Sequence, residues 1–454
     1  MIFGAIYKLF VGRHRNHINT ALHYSKLTPS SRDDHSGSRD CYEHAMTFGA
    51  FFKSLGRNSQ FAGLTYLTTT TTVTQFMVIA ALLSKTELGV YGLWMAVATL
   101  ISGVASWGFV PVAIRMIMHE KSSSFQITLQ CALCSSFLSV MLVLLVAILE
   151  HVFSFTGRPV IWLVMACVSS AELALREILL VPYHCKKMFR YIGLIRLIST
   201  IAVAVLSVSA VIVRPTATQI VLSTFLINGI VVIWLLAPYV RKRDATNLFS
   251  PDRSIIHTLL KEGLPIMATN FSGTMFNRLD WLVLGTMSNK TILGGYSVIN
   301  RLFEFSYQLS GPFTAASYPS FCSSKASLAK SLRGIRWKVF FCGASLSVLE
   351  ISLFPILCRV FSFNKFLDQY LTFAILVSGL PVIFMVGVYY QYFLSQGMQT
   401  YLFKISLMCI AVNALMLLVL VSRYASVGAA VATLIPQILQ YIFMSRKLKR
   451  MIES

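Results

Sequence analysis

Two stretches of this 454-residue chain place ionisable side chains inside long apolar runs. An ionised group there needs a partner or a watery cavity. The first stretch holds Glu172 and Arg176, spaced i,i+4 with the acid first, the order that favours an intrahelical ion pair. The second holds Asn270, Asn277, Arg278 and Asp280, followed across a short turn by Asn300, Arg301 and Glu304. Arg301 and Glu304 share a helical face at i,i+3, whereas Arg278 and Asp280 point apart and need partners on other helices. Guanidinium groups bind phosphate through paired N–H donors, carboxylates tune them or carry protons, and amides hydrogen-bond hydroxyls. Such residues either line a polar path through an apolar body or fix helix packing. No P-loop, HExxH or GxSxG pattern occurs, so no ATPase, zinc hydrolase or serine hydrolase site is expected, and no cofactor or metal. The chain reads as a non-enzyme that moves something on an ion gradient, the membrane potential or the substrate's own gradient.

The elements that position these residues are membrane-spanning helices. Hydrophobic residues make up 56% of the chain and charged ones 12%, too few to cover a soluble surface. The mean hydropathy of +0.69 agrees. Runs of about 20 apolar residues, enough to cross about 30 Å of hydrocarbon as a helix, give six expected spans in the first half. They are 61–84, 89–118, 128–150, 159–181, 193–213 and 218–238. Six more follow at 259–285, 293–319, 337–357, 367–396, 401–421 and 426–445. Ser84 to Tyr91 (SKTELGVY) returns as Asn289 to Tyr296 (NKTILGGY), an offset of 205 residues from Lys85 to Lys290. The expected fold is therefore an all-α integral membrane protein of about 12 transmembrane helices, in two six-helix lobes related as parallel repeats around a central cavity. This is the layout of a transporter.

Lys and Arg concentrate in the loops after even-numbered spans and in the tail, which puts both termini in the cytoplasm. The resulting division is a cytoplasmic extension at 1–60 with an interfacial amphipathic helix at about 46–58, an N-lobe at 61–238, a linker at 239–256, a C-lobe at 257–446 and a basic tail at 447–454. The net charge of +22 is explained by this membrane-facing basic rim, so no nucleic-acid partner is expected. No cleaved targeting peptide is expected either. Residues 1–45 read as an unorganised extension or as sequence ahead of the true start, and their five histidines as no metal site. Cys131 and Cys134 form a CxxC inside a span, with no second pair, and read as packing residues. The run Thr68 to Thr72 is either a helix whose hydroxyls bond the preceding turn or a hydroxyl-rich wall. Arg196, near the start of the fifth span, is expected to snorkel.

The stretch Leu264 to Ser320 resembles the central signature of polysaccharide flippases of the Wzx type. Their N-x-x-D-x-x-x-L-G element falls on Asn277, Asp280, Leu284 and Gly285, and their L-G-x-Y-S element with a following basic residue on Leu293, Gly294, Tyr296, Ser297 and Arg301. Gly397, Asn413 and the segment Ser426 to Ile435 resemble the closing helices, and coverage runs from about Met46 to Lys449. The resemblance implies an inner-membrane member of the multidrug, oligosaccharidyl-lipid and polysaccharide exporter superfamily. Its substrate would be an undecaprenyl-pyrophosphate-linked oligosaccharide, an O-antigen or capsule repeat unit. Its partners would be membrane lipids, a polysaccharide polymerase and a chain-length regulator. Arg278 and Arg301 would bind phosphate, with Asp280 and Glu304 tuning them. The alternative is a cation-coupled multidrug exporter of the same superfamily, for which Glu172 is the candidate coupling carboxylate.

Overall fold

The computed structural model describes residues 58–120, 124–153, 159–240, 252–310, 325–360, 363–396 and 398–453. The expected N-terminal extension with its interfacial helix, and most of the 239–256 linker, lie outside them. Every element among the described residues is helical. The first half comprises α1 (Asn58–Leu82), α2 (Lys85–Ala105), α3 (Phe109–Glu120), α4 (Ser124–Phe153), α5 (Val160–Leu179), the short α6 (Val181–Cys185), α7 (Phe189–Val213) and α8 (Ala217–Val240). The second comprises α9 (Arg253–Met287), α10 (Lys290–Gln308), α11 (Lys325–Val360), a 3-10 turn (Asn364–Gln369), α12 (Tyr370–Ser378), α13 (Leu380–Ser395) and α14 (Gln399–Glu453).

Seven helical stretches among the described residues are long and apolar enough to cross a membrane: α2 with α3, α4, α7, α8, most of α11, the run Asn364–Ser395, and α14. They expose large apolar side chains such as Phe137, Ile148, Ile233 and Leu415. An aqueous surface would not tolerate so much exposed apolar area, and acyl chains do. The chain is a multi-pass membrane protein. The helices α1, α5, α9 and α10, also expected as spans, are those that carry the threonine run or the ionisable residues. α14 breaks at Ala425 (φ 46°, ψ −121°), between the stretches read as the last two spans, and continues as helix through the basic residues Arg446 to Arg450. A break that the sequence reading missed separates α2 from α3 at Trp107 (φ 42°) and Gly108 (φ 68°). A Cβ on Gly108 would come within 2.8 Å of Ile266, so both its backbone conformation and the approach of α9 require glycine there.

The repeated turn is a structural repeat. Ser84 caps α2 by accepting from the Glu87 N–H (3.2 Å), and Asn289 caps α10 by accepting from the Thr291 N–H (3.0 Å). The two helices that leave these turns pack against each other. Thr86 Oγ1 lies 3.0 Å from Thr291 Oγ1, its counterpart 205 residues on. A Cβ on Gly89 would stand 1.8 Å from the Lys290 carbonyl oxygen, and one on Gly294 would stand 1.8 Å from that of Lys85. Each contact maps onto the other when the halves are exchanged, the signature of a two-fold relation.

Ionic contacts join the halves at both ends. Near the turns Lys85 pairs with Asp368 (2.7 Å), and Lys365 Nζ donates to the Leu83 carbonyl (2.6 Å) at the end of α1. At the opposite end Trp107 Nε1 donates to the Leu260 carbonyl (3.0 Å), and Arg115 pairs with Glu262. The second-half core gathers Trp281, Tyr296, Phe303, Phe354 and Phe373. Cys131 is buried in a first-half core with Phe109, Leu179 and Tyr239, and Cys134 packs against it.

Candidate functional site

α9 and α10 bring their charges together where the halves meet. Arg278 Nη1 donates to Glu304 Oε1 at 2.5 Å and Arg301 Nη1 to Glu304 Oε2 at 3.0 Å, so one carboxylate bridges two guanidiniums. The i,i+3 pair is as the spacing predicts, and Arg278 reaches across to α10. Both guanidiniums lie on Trp281, their central carbons 4.8 Å and 5.7 Å from the ring centroid, and Arg301 lies 5.7 Å from the ring of Phe76 on α1. An aromatic face stabilises a cation where water is scarce. The triad carries a formal charge of +1. Among the described residues, Arg301 spends only Nη1 on hydrogen bonding; its Nε and Nη2 donors remain available.

Asp280 faces away from Arg278, as their spacing predicts. It is 3% exposed, takes the Trp281 N–H on Oδ1 (2.8 Å) and the Tyr296 hydroxyl on Oδ2 (2.6 Å). The aspartate before the turn and the tyrosine after it therefore form one hydrogen-bonded unit, fully buried at the tyrosine.

Beside this unit opens a cavity of about 550 Å³, walled by α9, α10, α13 and α14. Asn277, Asp280, Asn300 and Glu304 line it. Arg278 and Arg301 do not, and Glu304 is the wall between cavity and cations. Asn270 is exposed on α9 outside the lining. Sequence reasoning missed Tyr307, Gln308, Tyr390, Gln391, Gln437 and Gln440, which extend the polar part of the wall. The signal was present in Gln437 and Gln440, spaced i,i+3 in an otherwise apolar run.

In the first half the expected Glu172–Arg176 ion pair does not form. Arg176 instead donates to Glu177 (3.1 Å) and to Ser199 Oγ (2.9 Å), and Glu177 also binds Arg196. Arg196 is thus held in a triad and does not snorkel. Sequence spacing allowed the i,i+4 contact, but a carboxylate between two arginines gains more Coulomb energy in a half-buried site than one partner supplies. Glu172 faces α8, where a Cβ on Gly229 would stand 3.1 Å from its Oε1, and its Oε2 is buried without a hydrogen-bond partner. His184, beyond the end of α5, has its pKa lowered by burial and by the Arg196 guanidinium, so it stays neutral at neutral pH and adds no charge to this triad.

The threonine run bonds its own helix, the first of its two readings. Thr68, Thr69, Thr71 and Thr72 each donate to the carbonyl one turn back, at 2.7–3.1 Å. Thr70, Thr71 and Thr74 also face a shallow groove against α7, where Gln75 donates to Ser207 Oγ (2.8 Å).

A duplicated helical membrane body thus carries a cavity within its second half and a cationic triad where the halves meet. The chain belongs to the polysaccharide biosynthesis protein family, whose sequence profile matches residues 78–335. Its fold is similar to that of the lipid II flippase MurJ in an inward closed conformation, with a TM-score of 0.73 at 13% identity over 86% of this chain and 87% of that one. It is also similar to an inward-facing multidrug resistance MATE family transporter of the MOP superfamily (TM-score 0.59, 14% identity, 84% and 96% covered). A MOP superfamily transporter from Pyrococcus furiosus gives 0.54 at 11% identity, with 87% and 96% covered. No curated protein matches the chain significantly in sequence.

Proposed function

We propose that this protein is a flippase for an undecaprenyl-pyrophosphate-linked oligosaccharide, an O-antigen or capsule repeat unit, turned from the cytoplasmic to the periplasmic leaflet of a bacterial inner membrane. The observation that carries this reading is Arg301. It is held on Trp281 and Phe76 where the halves meet, in a triad of net positive charge, with two donor nitrogens unspent. A pyrophosphate offers oxygens that match a guanidinium fork, and an isoprenoid tail can stay in the bilayer while the headgroup crosses. Membership of the polysaccharide biosynthesis family supports the sugar component.

In this reading residues 61–238 and 257–446 form two lobes of six spans each, with both termini cytoplasmic, and rock about the site in alternating access. Contacts near the repeated turns, such as Lys85–Asp368, close the periplasmic side, while Arg115–Glu262 and Trp107–Leu260 close the cytoplasmic side. A polymerase and a chain-length regulator would receive the product. Complementation of a flippase-deficient strain tests the proposal. The wild-type chain is expected to restore surface polysaccharide and Arg301→Ala to abolish it at equal membrane abundance. Normal display by Arg301→Ala would refute the assignment.

The buried, unpartnered Oε2 of Glu172 favours a second reading, cation-coupled drug export through the first half. Drug resistance conferred by the chain and lost in Glu172→Gln, with no restored polysaccharide, would select it.

A further inference from the structure

The second-half cavity is chemically unlike the triad on the other side of Glu304. Among the described residues, no Lys, Arg or His contributes to its lining. Its two carboxylates are already engaged, Asp280 by Tyr296 and the Trp281 N–H and Glu304 by both arginines. The wall therefore offers no surplus cation to hold a phosphate, and its carboxylates repel one. Nor does it offer a free carboxylate to hold an organic cation.

The wall is rich in neutral hydrogen-bonding groups. Gln308, Gln391, Gln437 and Gln440 border the space, and among the described residues none of these amides hydrogen-bonds the protein. An amide both donates and accepts, as a sugar hydroxyl does, so a row of unspent amides matches a polyol better than a group of one polarity. Tyr307 and Tyr390 stand among them. Their rings suit the apolar C–H faces of a pyranose. A volume of about 550 Å³ is room for a short oligosaccharide and not for a polymer.

We propose that this cavity is a carbohydrate subsite, which takes the neutral sugar units of the substrate while the pyrophosphate stays outside at Arg301. Glu304, facing both compartments, marks the junction between sugar and phosphate. The inference rests on the flippase reading. It adds that headgroup recognition is divided, with affinity for phosphate on one side of Glu304 and preference for sugar on the other.

The test uses the full chain in lipid nanodiscs and compares undecaprenyl pyrophosphate with the same lipid bearing each of three trisaccharides of different hexose composition. The wild type is expected to bind at least one sugar-bearing lipid about tenfold tighter than the bare one, a difference that one or two well-made hydrogen bonds supply. Replacing Gln391, Gln437 and Gln440 together by Met, an unbranched side chain of similar length, is expected to remove that preference and leave affinity for the bare lipid unchanged. Arg301→Ala is expected to weaken both ligands alike. The single variants Gln391→Met, Gln437→Met and Gln440→Met carry the test should the triple variant fail to fold, each lowering the preference in part. A preference unchanged in the glutamine variants, or absent from the wild type towards every trisaccharide, overturns the subsite while the flippase reading stands on the bare lipid. Binding of neither lipid, with glutamine-dependent binding of an organic cation such as ethidium, overturns both.

Discussion

Each half of the molecule holds one carboxylate between two arginines, and the two triads differ in what they leave unspent. In the first half Glu177 binds Arg176 and Arg196, and Arg176 also donates to Ser199. In the second half Glu304 binds Arg278 and Arg301, but Arg301 keeps two donors free, lies on aromatic faces of both halves, and adjoins a cavity. The first arrangement ties α5 to α7, which a closed set of hydrogen bonds does well. The second leaves donors of Arg301 unspent, and the proposed function gives them to the substrate. A charge inside a span is therefore a poor marker of a transport site unless its bonding capacity is also counted.

The sharpest way to break this comparison is to remove one arginine from each triad. Arg301→Ala is expected to abolish surface polysaccharide in the complementation assay, whereas Arg196→Ala is expected to retain it at reduced protein abundance. Equal loss of display per molecule in both variants would mean that the free donors of Arg301 are not what matters. Arg301→Lys sharpens the point. It keeps the charge and loses the planar fork, so partial display is expected if paired donors hold the phosphate, and full display if charge alone does.

Removing the central carboxylates reads the same difference as stability. Glu304→Gln removes a carboxylate that is 14% exposed and leaves two arginines without their counter-charge. Breaking a buried pair from one side costs about 3–5 kcal/mol. Glu177→Gln acts on a carboxylate that is 28% exposed. A smaller loss of about 1–3 kcal/mol is expected there, the range for hydrogen bonds to charged groups. Thermal unfolding in one detergent would measure both, and a larger loss at Glu177 would reverse the assignment of which triad is the more buried.

A control is provided by a place where the halves do not differ. Gly89 and Gly294 meet matching carbonyls at the same 1.8 Å, so Gly89→Ala and Gly294→Ala should cost alike, about 1–3 kcal/mol or more through overpacking. Unequal losses would show that the two-fold contact is uneven in energy although even in geometry.

Much of this was legible in the chain. The duplicated turn and its offset recur in space; the caps Ser84 and Asn289 were not read, although a cap is a local device that needs no tertiary information. The Arg301–Glu304 pair and the divergence of Arg278 from Asp280 followed from helical geometry alone. The Glu172–Arg176 pair was misread because spacing states which contacts are allowed and not which partner wins; Glu177 had a second arginine from α7 within reach. The glutamines were passed over because neutral amides in a span cost too little to stand out as charges do. Which of them share a cavity depends on how α13 and α14 are rotated about their axes, a consequence of packing.

The smallest effect expected is at the threonines, and it bears on the distinction drawn between the triads. Thr71 faces the α1–α7 groove, yet its hydroxyl is already given to the Leu67 carbonyl at 2.7 Å. If unspent capacity marks a transport site, Thr71→Val, which keeps the shape and removes the hydroxyl, should leave polysaccharide display intact and change stability by no more than about 0.5 kcal/mol. A marked fall in display with unchanged abundance would mean that a hydroxyl bonded to its own helix still serves the substrate. Counting free donors would then fail as a criterion, and the first half would hold part of the path after all.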